Sequence, residues 1–192
     1  MEEKRFNPKK LDKLNNPLRL KEFPTEIIIK LIKIENPKVI IDLGAGTGFF
    51  SIPFAQIYKQ CKIYACDISD IMIDWMNENV SSKYDNIIPV KMEDNHIPLD
   101  DDIADFLFMV NLHHELDSPD GTLKECHRLL KSKGTIAISD WKKEKTDHGP
   151  SIELRYNPNE VKEQLVAAGF NNISIHIGFP NNFLIIAEKT EQ

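Results

Sequence analysis

The sequence predicts an α/β protein built on a doubly wound, mainly parallel sheet. From residue 38 to residue 140, short apolar and β-branched runs alternate with helical stretches, the pattern of successive βα units. The first of these runs leads directly into a cluster of glycines. The last two runs of the chain are separated only by a few residues around Gly178, Pro180, Asn181 and Asn182. A parallel crossover needs a dozen or more residues, so the final strand must run antiparallel to its predecessor.

Residues 1–24, interrupted by Pro8 and Pro17, read as an irregular or short-helical arm, and Thr25 is placed to cap a helix reaching about Ile34. Strands follow at 38–43, 62–66, 86–91, 104–110 and 135–139, each largely apolar, as strands covered on both faces should be. Pro89 makes the third the weakest of the set. Helices are expected at 48–58, 70–80 and 119–130, the last opened by Ser118 as N-cap with Pro119 at the first helical position. A further helix at 158–168 stops at Gly169, and strands at 172–177 and 183–188 complete the sheet. No repeat or composition break divides the chain. It reads as one domain, with residues 1–36 forming an N-terminal arm and helix and residues 37–192 the core.

Composition narrows the function. A chain of 192 residues that is 41% hydrophobic and 28% charged is long enough to bury a full core, which excludes disorder and collagen-like repeats. No apolar run approaches a membrane span, and residues 1–10 are charged rather than signal-like, so a cytoplasmic location is expected. The first 38 residues carry 10 basic and 6 acidic side chains, leaving 14 basic against 24 acidic in the rest. A body that acidic repels nucleic acid and anionic membranes unless a local basic patch overrides it. Cys61, Cys66 and Cys126 make an odd count without CxxC spacing, so neither a disulfide framework nor a zinc site is indicated, and no metal is expected.

Residues 39–51, VIIDLGAGTGFFS, are the most informative segment. A buried strand runs into Gly44, Gly46 and Gly48, with Ala45 and Thr47 between them, so that backbone can approach a ligand where a Cβ would obstruct it. The spacing is GxGxG, and Phe49 occupies the place where the dinucleotide fingerprint has its third glycine. The loop also lacks the lysine of a nucleoside-triphosphate loop. Asp42, just ahead of the glycines, repels phosphate and attracts a cationic ligand. Asp67 closes the second strand, where a carboxylate can accept both hydroxyls of a ribose. Glu93 and Asp94 follow the third strand and can accept from an exocyclic adenine amine. Each acid taken alone also suits a helix cap. Three of them at successive strand ends beside a glycine loop favour a binding site.

On these residues the chain resembles the class I methyltransferases that use S-adenosylmethionine, in the UbiE-like small-molecule group called type 11. Residues 39–55 are similar to the first motif of that family, 63–69 to the segment carrying the ribose acid, 90–99 to the adenine segment, 105–114 to the fourth strand and 129–136 to the turn into the fifth. The resemblance implies a Rossmann-like sheet of seven strands, six parallel and the last reversed. It also implies S-adenosylmethionine as cofactor, with Gly44 to Gly48 against its methionine part, Asp67 at the ribose, Glu93 and Asp94 at the adenine, Asn111 and Leu112 beneath the sulfonium, and Asp42, Ile68 and Met72 among the further cofactor-binding residues.

Methyl transfer from a sulfonium is an in-line displacement with a good leaving group, so alignment and exclusion of water matter most. If the acceptor is a hydroxyl or thiol, His113 and His114 at the end of the fourth strand are the candidate bases, against the alternative that they pack or cap. The polar segment 140–157, opening at Asp140 and holding Gly149 and Pro150, can wall the substrate side, where Arg155 is placed to clamp a carboxylate, against the alternative of a surface arginine on a solvated loop. Phe6, Leu11 and Leu14 give the arm an apolar face suited to a lid over the cofactor. Two competing functions stand beside this one. A nicotinamide oxidoreductase finds a formal Tyr-x-x-x-Lys at Tyr58 and Lys62, though it follows the glycine loop too closely to reach a substrate. A cofactor-binding sensor without catalysis is the other.

Overall fold

The computed structural model describes residues 11–22 and 24–190. Seven strands form one sheet: β1 (Val39–Leu43), β2 (Lys62–Asp67), β3 (Ile87–Lys91), β4 (Ala104–Val110), β5 (Leu130–Trp141), β6 (Phe170–His176) and β7 (Asn182–Lys189). Their spatial order is β3-β2-β1-β4-β5-β7-β6. β7 lies between β5 and β6 and is antiparallel to both, while the pairs from β3 to β5 are all parallel. The reversed last strand expected from the short C-terminal link is present. The order changes direction between β1 and β4, and such a switch point opens a crevice beyond the carboxyl ends of the strands.

The helices are α1 (Leu11–Leu14), α2 (Leu18–Glu22), α3 (Thr25–Ile32), α4 (Ser51–Ile57), α5 (Asp70–Asn79), α6 (Pro119–Leu129) and α7 (Pro158–Ala167). One face of the sheet is covered by α3, α4 and α5 through Ile28, Phe54 and Met76, which pack on Phe106 and Phe108. The Phe54 and Phe108 rings stack with centroids 4.7 Å apart. The other face is covered by α6 and α7 through Leu123, Leu129, Val161 and Leu165, which pack on Leu107, Ile136 and Phe183. Side chains alternate along each inner strand between these two layers, so both faces are apolar and the strands read as continuous apolar runs.

Several element ends differ from the sequence expectation, each for a local reason. β3 is an edge strand, which is where Pro89 does least harm to a ladder. Gly48 has φ +73°, which keeps it out of α4, and the helix begins at Ser51 instead. Thr25 does not cap α3. Pro24 occupies the N-cap position and Thr25 is the first helical residue, with its hydroxyl buried and without a hydrogen-bond partner. β5 begins earlier than expected, at Leu130. Its pairing jumps from Ala104 opposite Leu130 to Phe106 opposite Thr135, and Lys133 takes φ +61° within that irregularity. Ser118 caps α6 through a bond from the Gly121 amide at 3.3 Å, and Asn157 and Glu160 form a reciprocal capping box on α7. Among the described residues no helix is long and apolar enough to cross a membrane.

Candidate active site

The glycine loop bridges β1 and α4 at the switch point. The amides of Gly44 and Ala45 both donate to the Cys66 carbonyl, at 2.9 and 3.0 Å, which ties the loop to the end of β2. Gly44 and Gly46 have φ +68° and +57°, a left-handed conformation that side chains with a Cβ adopt at a penalty. A Cβ on Gly44 would lie 2.7 Å from both terminal methyls of Leu112, and one on Gly46 would lie 3.2 Å from Leu14 Cδ1. The loop is therefore a cradle of bare backbone, lined at its two ends by Leu112 from beyond β4 and Leu14 from the arm. Thr47 is buried and its hydroxyl donates to Asn15 Oδ1 at 2.8 Å.

Two buried carboxylates flank the cradle. Asp67 accepts from the Gly46 amide at 2.7 Å on Oδ2 and from the Ser69 amide at 2.9 Å on Oδ1. Burial raises its pKa, and those backbone donors pull it back. Each oxygen keeps a second lone pair, so a diol can still be accepted while the loop is held. Asp42 is buried behind the loop and accepts from the Ser51 hydroxyl at 2.6 Å. Burial pushes its pKa up to about 7, with the Ser51 bond opposing and the charge of Asp67 reinforcing the rise. A buried acid poised in this way gains most from a cationic ligand. Ile68 is half-buried and Met72 buried at the start of α5, while Glu93 and Asp94 are exposed at a turn closed by the Glu93–His96 bridge.

At the end of β4, Asn111 turns the chain with φ +56°, and His113–Glu115 form a short 3-10 turn with Leu112 at its N-cap. His113 and His114 separate there. His113 is buried edge-on against Tyr156, with ring centroids 4.7 Å apart. His114 is held by Asp140, which accepts from its backbone amide on Oδ2 at 2.8 Å and meets its Nδ1 through Oδ1 at 2.7 Å. Burial opposes protonation of His114, but the hydrogen bond and charge of Asp140, with Glu115 3.7 Å from Nε2, hold its pKa above the ordinary value. Asp140 is thus the partner of His114 and not a separate part of the substrate wall. It also accepts from the Trp141 amide.

Arg155 is buried and cannot act as the expected carboxylate clamp, because its guanidinium is already spent on the protein. Nε donates to the Pro150 carbonyl, Nη1 to the carbonyls of Lys142 and Glu144, and Nη2 to the Pro150 carbonyl and Thr146 Oγ1. All five donors of an arginine are engaged. The same group lies 5.3 Å over the Trp141 ring, so Arg155 fastens residues 142–155 into a fixed strap at the end of β5.

Four contributors were missed by sequence reasoning. Ser51 is visible only as the first residue of α4. Asn15 and Arg19 come from the arm, where Arg19 donates to the Leu14 carbonyl at 2.6 Å and lies over the rings of Phe49 and Phe50. Asn182, buried at the start of β7, donates to Asn111 Oδ1 at 2.6 Å and to Ser139 Oγ at 3.5 Å. Only the strand order brings it there. Of the lid residues, Leu11 and Leu14 lie on α1 and Phe6 lies outside the described residues. Cys61, Cys66 and Cys126 are free and buried, and burial raises each thiol's pKa, which removes them as nucleophiles.

The glycine cradle lies at a topological switch point and is flanked by the buried acids Asp42 and Asp67. Residues 41–138 match the family model described as a methyltransferase domain, and the chain belongs to that family, whose cofactor is S-adenosylmethionine. An S-adenosylmethionine-dependent methyltransferase from Aquifex aeolicus superimposes with a TM-score of 0.90 at 33% identity, covering 96% of this chain and 99% of that one. The malonyl-[acyl-carrier protein] O-methyltransferase of Geobacter sulfurreducens is 23% identical over 168 residues, 78% of this chain and 62% of that protein. The tRNA(Phe) (4-demethylwyosine(37)-C(7)) aminocarboxypropyltransferase of Methanocaldococcus jannaschii is 29% identical over 117 residues, 60% of this chain and 45% of that protein. The chain therefore spans between about half and three-fifths of the length of these two relatives. Neither the nicotinamide alternative nor the sensor alternative is favoured by these likenesses.

Proposed function

We propose that the chain transfers a methyl group from S-adenosylmethionine to a small-molecule acceptor by in-line displacement. The observation that carries this reading is the cradle itself: bare backbone at Gly44 to Gly48, closed on one side by Asp67 through the Gly46 amide and backed by Asp42. The residues fit the cofactor. The positive φ angles leave room where a Cβ would intrude, and Asp42 offers a buried acid to a cationic group. When bound, the cofactor supplies an activated methyl carbon on a sulfonium. Asp67 would hold the ribose, Ile68 and Met72 its apolar side, Glu93 and Asp94 the adenine edge, and Asn111 with Leu112 the floor of the crevice. The chain's own task is to align the acceptor and exclude water.

The N-terminal arm fits the part of a lid over residues 37–192. Leu14 covers Gly46, Asn15 accepts from Thr47, and Arg19 caps Phe49 and Phe50. Its position over the cradle supports a closure that shields the reaction from solvent. The acidic balance of the core supports a small-molecule partner over nucleic acid, and three free thiols support a reducing cytoplasmic setting. Isothermal titration with S-adenosylhomocysteine, NAD and NADP tests the cofactor, and conversion of S-adenosylmethionine to S-adenosylhomocysteine with an acceptor panel tests catalysis. Binding of a nicotinamide cofactor with no response to S-adenosylhomocysteine defeats the proposal.

A further inference from the structure

α6 holds the turn that follows β3 by three side chains. The buried Thr122 hydroxyl donates to Asn95 Oδ1 at 3.0 Å and shares its hydrogen with the Ser118 carbonyl at 3.1 Å. Glu125 Oε1 accepts from the Ile97 amide at 2.7 Å. Arg128 reaches along the same segment, Nη2 donating to the Ile97 carbonyl at 3.0 Å and Nη1 to the Leu99 carbonyl at 2.9 Å. Glu125 and Arg128 also hold one another by two bonds, from Nε to Oε2 at 2.8 Å and from Nη2 to Oε1 at 2.7 Å, a paired geometry that fixes both groups in direction. Burial works against ionisation of Glu125, and the Arg128 bond and the Ile97 amide overcome it, holding its pKa below the ordinary value. Gly121 permits the close approach: a Cβ there would lie 3.0 Å from Asn95 Cγ and 2.9 Å from Ser118 Oγ. The turn itself is exposed from residue 93 to residue 96 and closes through the Glu93 amide on the His96 carbonyl at 3.0 Å, with the reverse bond a long 3.4 Å. Its entry is fixed on β2, where the Met92 amide donates to the Asp67 carbonyl at 3.1 Å, and its exit is fixed on α6.

Resting on the methyltransferase reading above, which sets Glu93 and Asp94 at the adenine, we propose that Thr122, Glu125 and Arg128 are positioning residues that give the site its preference for a 6-amino purine. A carboxylate accepts from the 6-amino group of adenine. Hypoxanthine carries an oxygen at that place, which also only accepts, and its hydrogen lies one atom away on N1. That difference counts only while the turn cannot shift. Held at Asn95, Ile97 and Leu99, the turn keeps acceptor against acceptor when the 6-oxo base enters, and the unpaired groups cost affinity. Cut loose from α6, it moves to meet the N1 hydrogen or admits a bridging water, and the penalty shrinks. The ties span 27 and 28 positions of sequence at Asn95 and Ile97, so α6 aims a surface turn that has little closure of its own.

The test uses the full chain and two probes that differ in the base alone, S-adenosylhomocysteine and S-inosylhomocysteine, with calorimetry as the readout. The unaltered chain should favour the adenine compound by about 10- to 100-fold. T122V keeps the volume of Thr122 and removes its hydroxyl, and the preference should fall to about threefold or less, whereas T122S should restore it. E125Q keeps an acceptor for the Ile97 amide but loses the charge that holds Arg128, and its preference should also fall. In both variants the loss should fall on S-adenosylhomocysteine, with S-inosylhomocysteine holding or gaining affinity. A purely structural role would lower Tm and weaken both probes equally, leaving their ratio where it was. Circular dichroism confirms that each variant is folded, and T122V decides alone should E125Q not fold. An unchanged ratio in either folded variant overturns the proposal. So does an unaltered chain that binds the two probes alike or favours S-inosylhomocysteine. Failure of the unaltered chain to bind either probe defeats the methyltransferase reading instead.

Discussion

Asp42 should make cofactor binding and protein stability respond to pH in opposite senses. Its carboxyl is buried, and desolvation lifts its pKa from 3.8 to about 7. A cationic ligand favours the ionised form. Affinity should therefore rise with pH through about 7, and between about pH 6 and pH 8 it should change by roughly tenfold, on the order of 1.4 kcal/mol. Folding goes the other way. A carboxyl whose folded pKa lies above its unfolded value contributes stability that is fully present below about pH 4 and is lost as pH rises through about 7. The shift of about three units corresponds to something on the order of 4 kcal/mol, so the ligand-free protein is burdened by this group under alkaline conditions. D42N removes the burden together with the attraction. In D42N, thermal denaturation at about pH 8 should show a higher Tm than the unaltered chain, while calorimetry shows weak, pH-independent binding of S-adenosylmethionine. A variant that keeps the pH slope, or that loses stability at pH 8, refutes the reasoning.

Four further outcomes are expected. D67A removes the acceptor for the Gly46 and Ser69 amides and for the ribose, and calorimetry should record a loss of roughly 2–3 kcal/mol in cofactor affinity. G46V places a branched side chain at φ +57° against Leu14, so cofactor binding should vanish while circular dichroism reports a folded chain; unfolding would make the glycine structural instead. R155M should lower stability by about 2–4 kcal/mol in denaturant titration and expose residues 142–155 to protease, whereas a variant that lost only substrate affinity would restore the clamp role. Limited proteolysis of the arm should slow when S-adenosylhomocysteine is added, with L14A reducing that protection; a cleavage rate indifferent to ligand rejects the lid.

The sequence was legible where one residue type has one physical use. Short β-branched apolar runs alternating with helical stretches read as strands buried on both faces, the few residues between β6 and β7 force a reversal, and Ser118-Pro119 is a strong helix start. The glycine loop and Asp67 were legible for the same reason, since glycines at left-handed φ beside a strand-end acid make a cradle. What stayed hidden depended on distance along the chain. Arg155 looked like a free cation because the carbonyls that absorb it belong to residues 142–150, brought round by a turn that leaves no pattern. Asp140 looked like a lining residue until β4 and β5 set it against His114, 26 positions away. Asn182 and Asn111 are 71 positions apart and meet only because β7 enters the sheet beside β5. Thr25 failed as a cap because the preceding proline took that place.

The placement of β7 also imposes an order of assembly. β6 precedes β7 in the chain yet touches the sheet only through it, so the earlier segment has nowhere to dock until the later one arrives. Until that hairpin closes, β5 keeps a bare edge and the Asn111 side chain lacks its bond from Asn182. Ripening of the pocket is thereby tied to the last stitch of the fold.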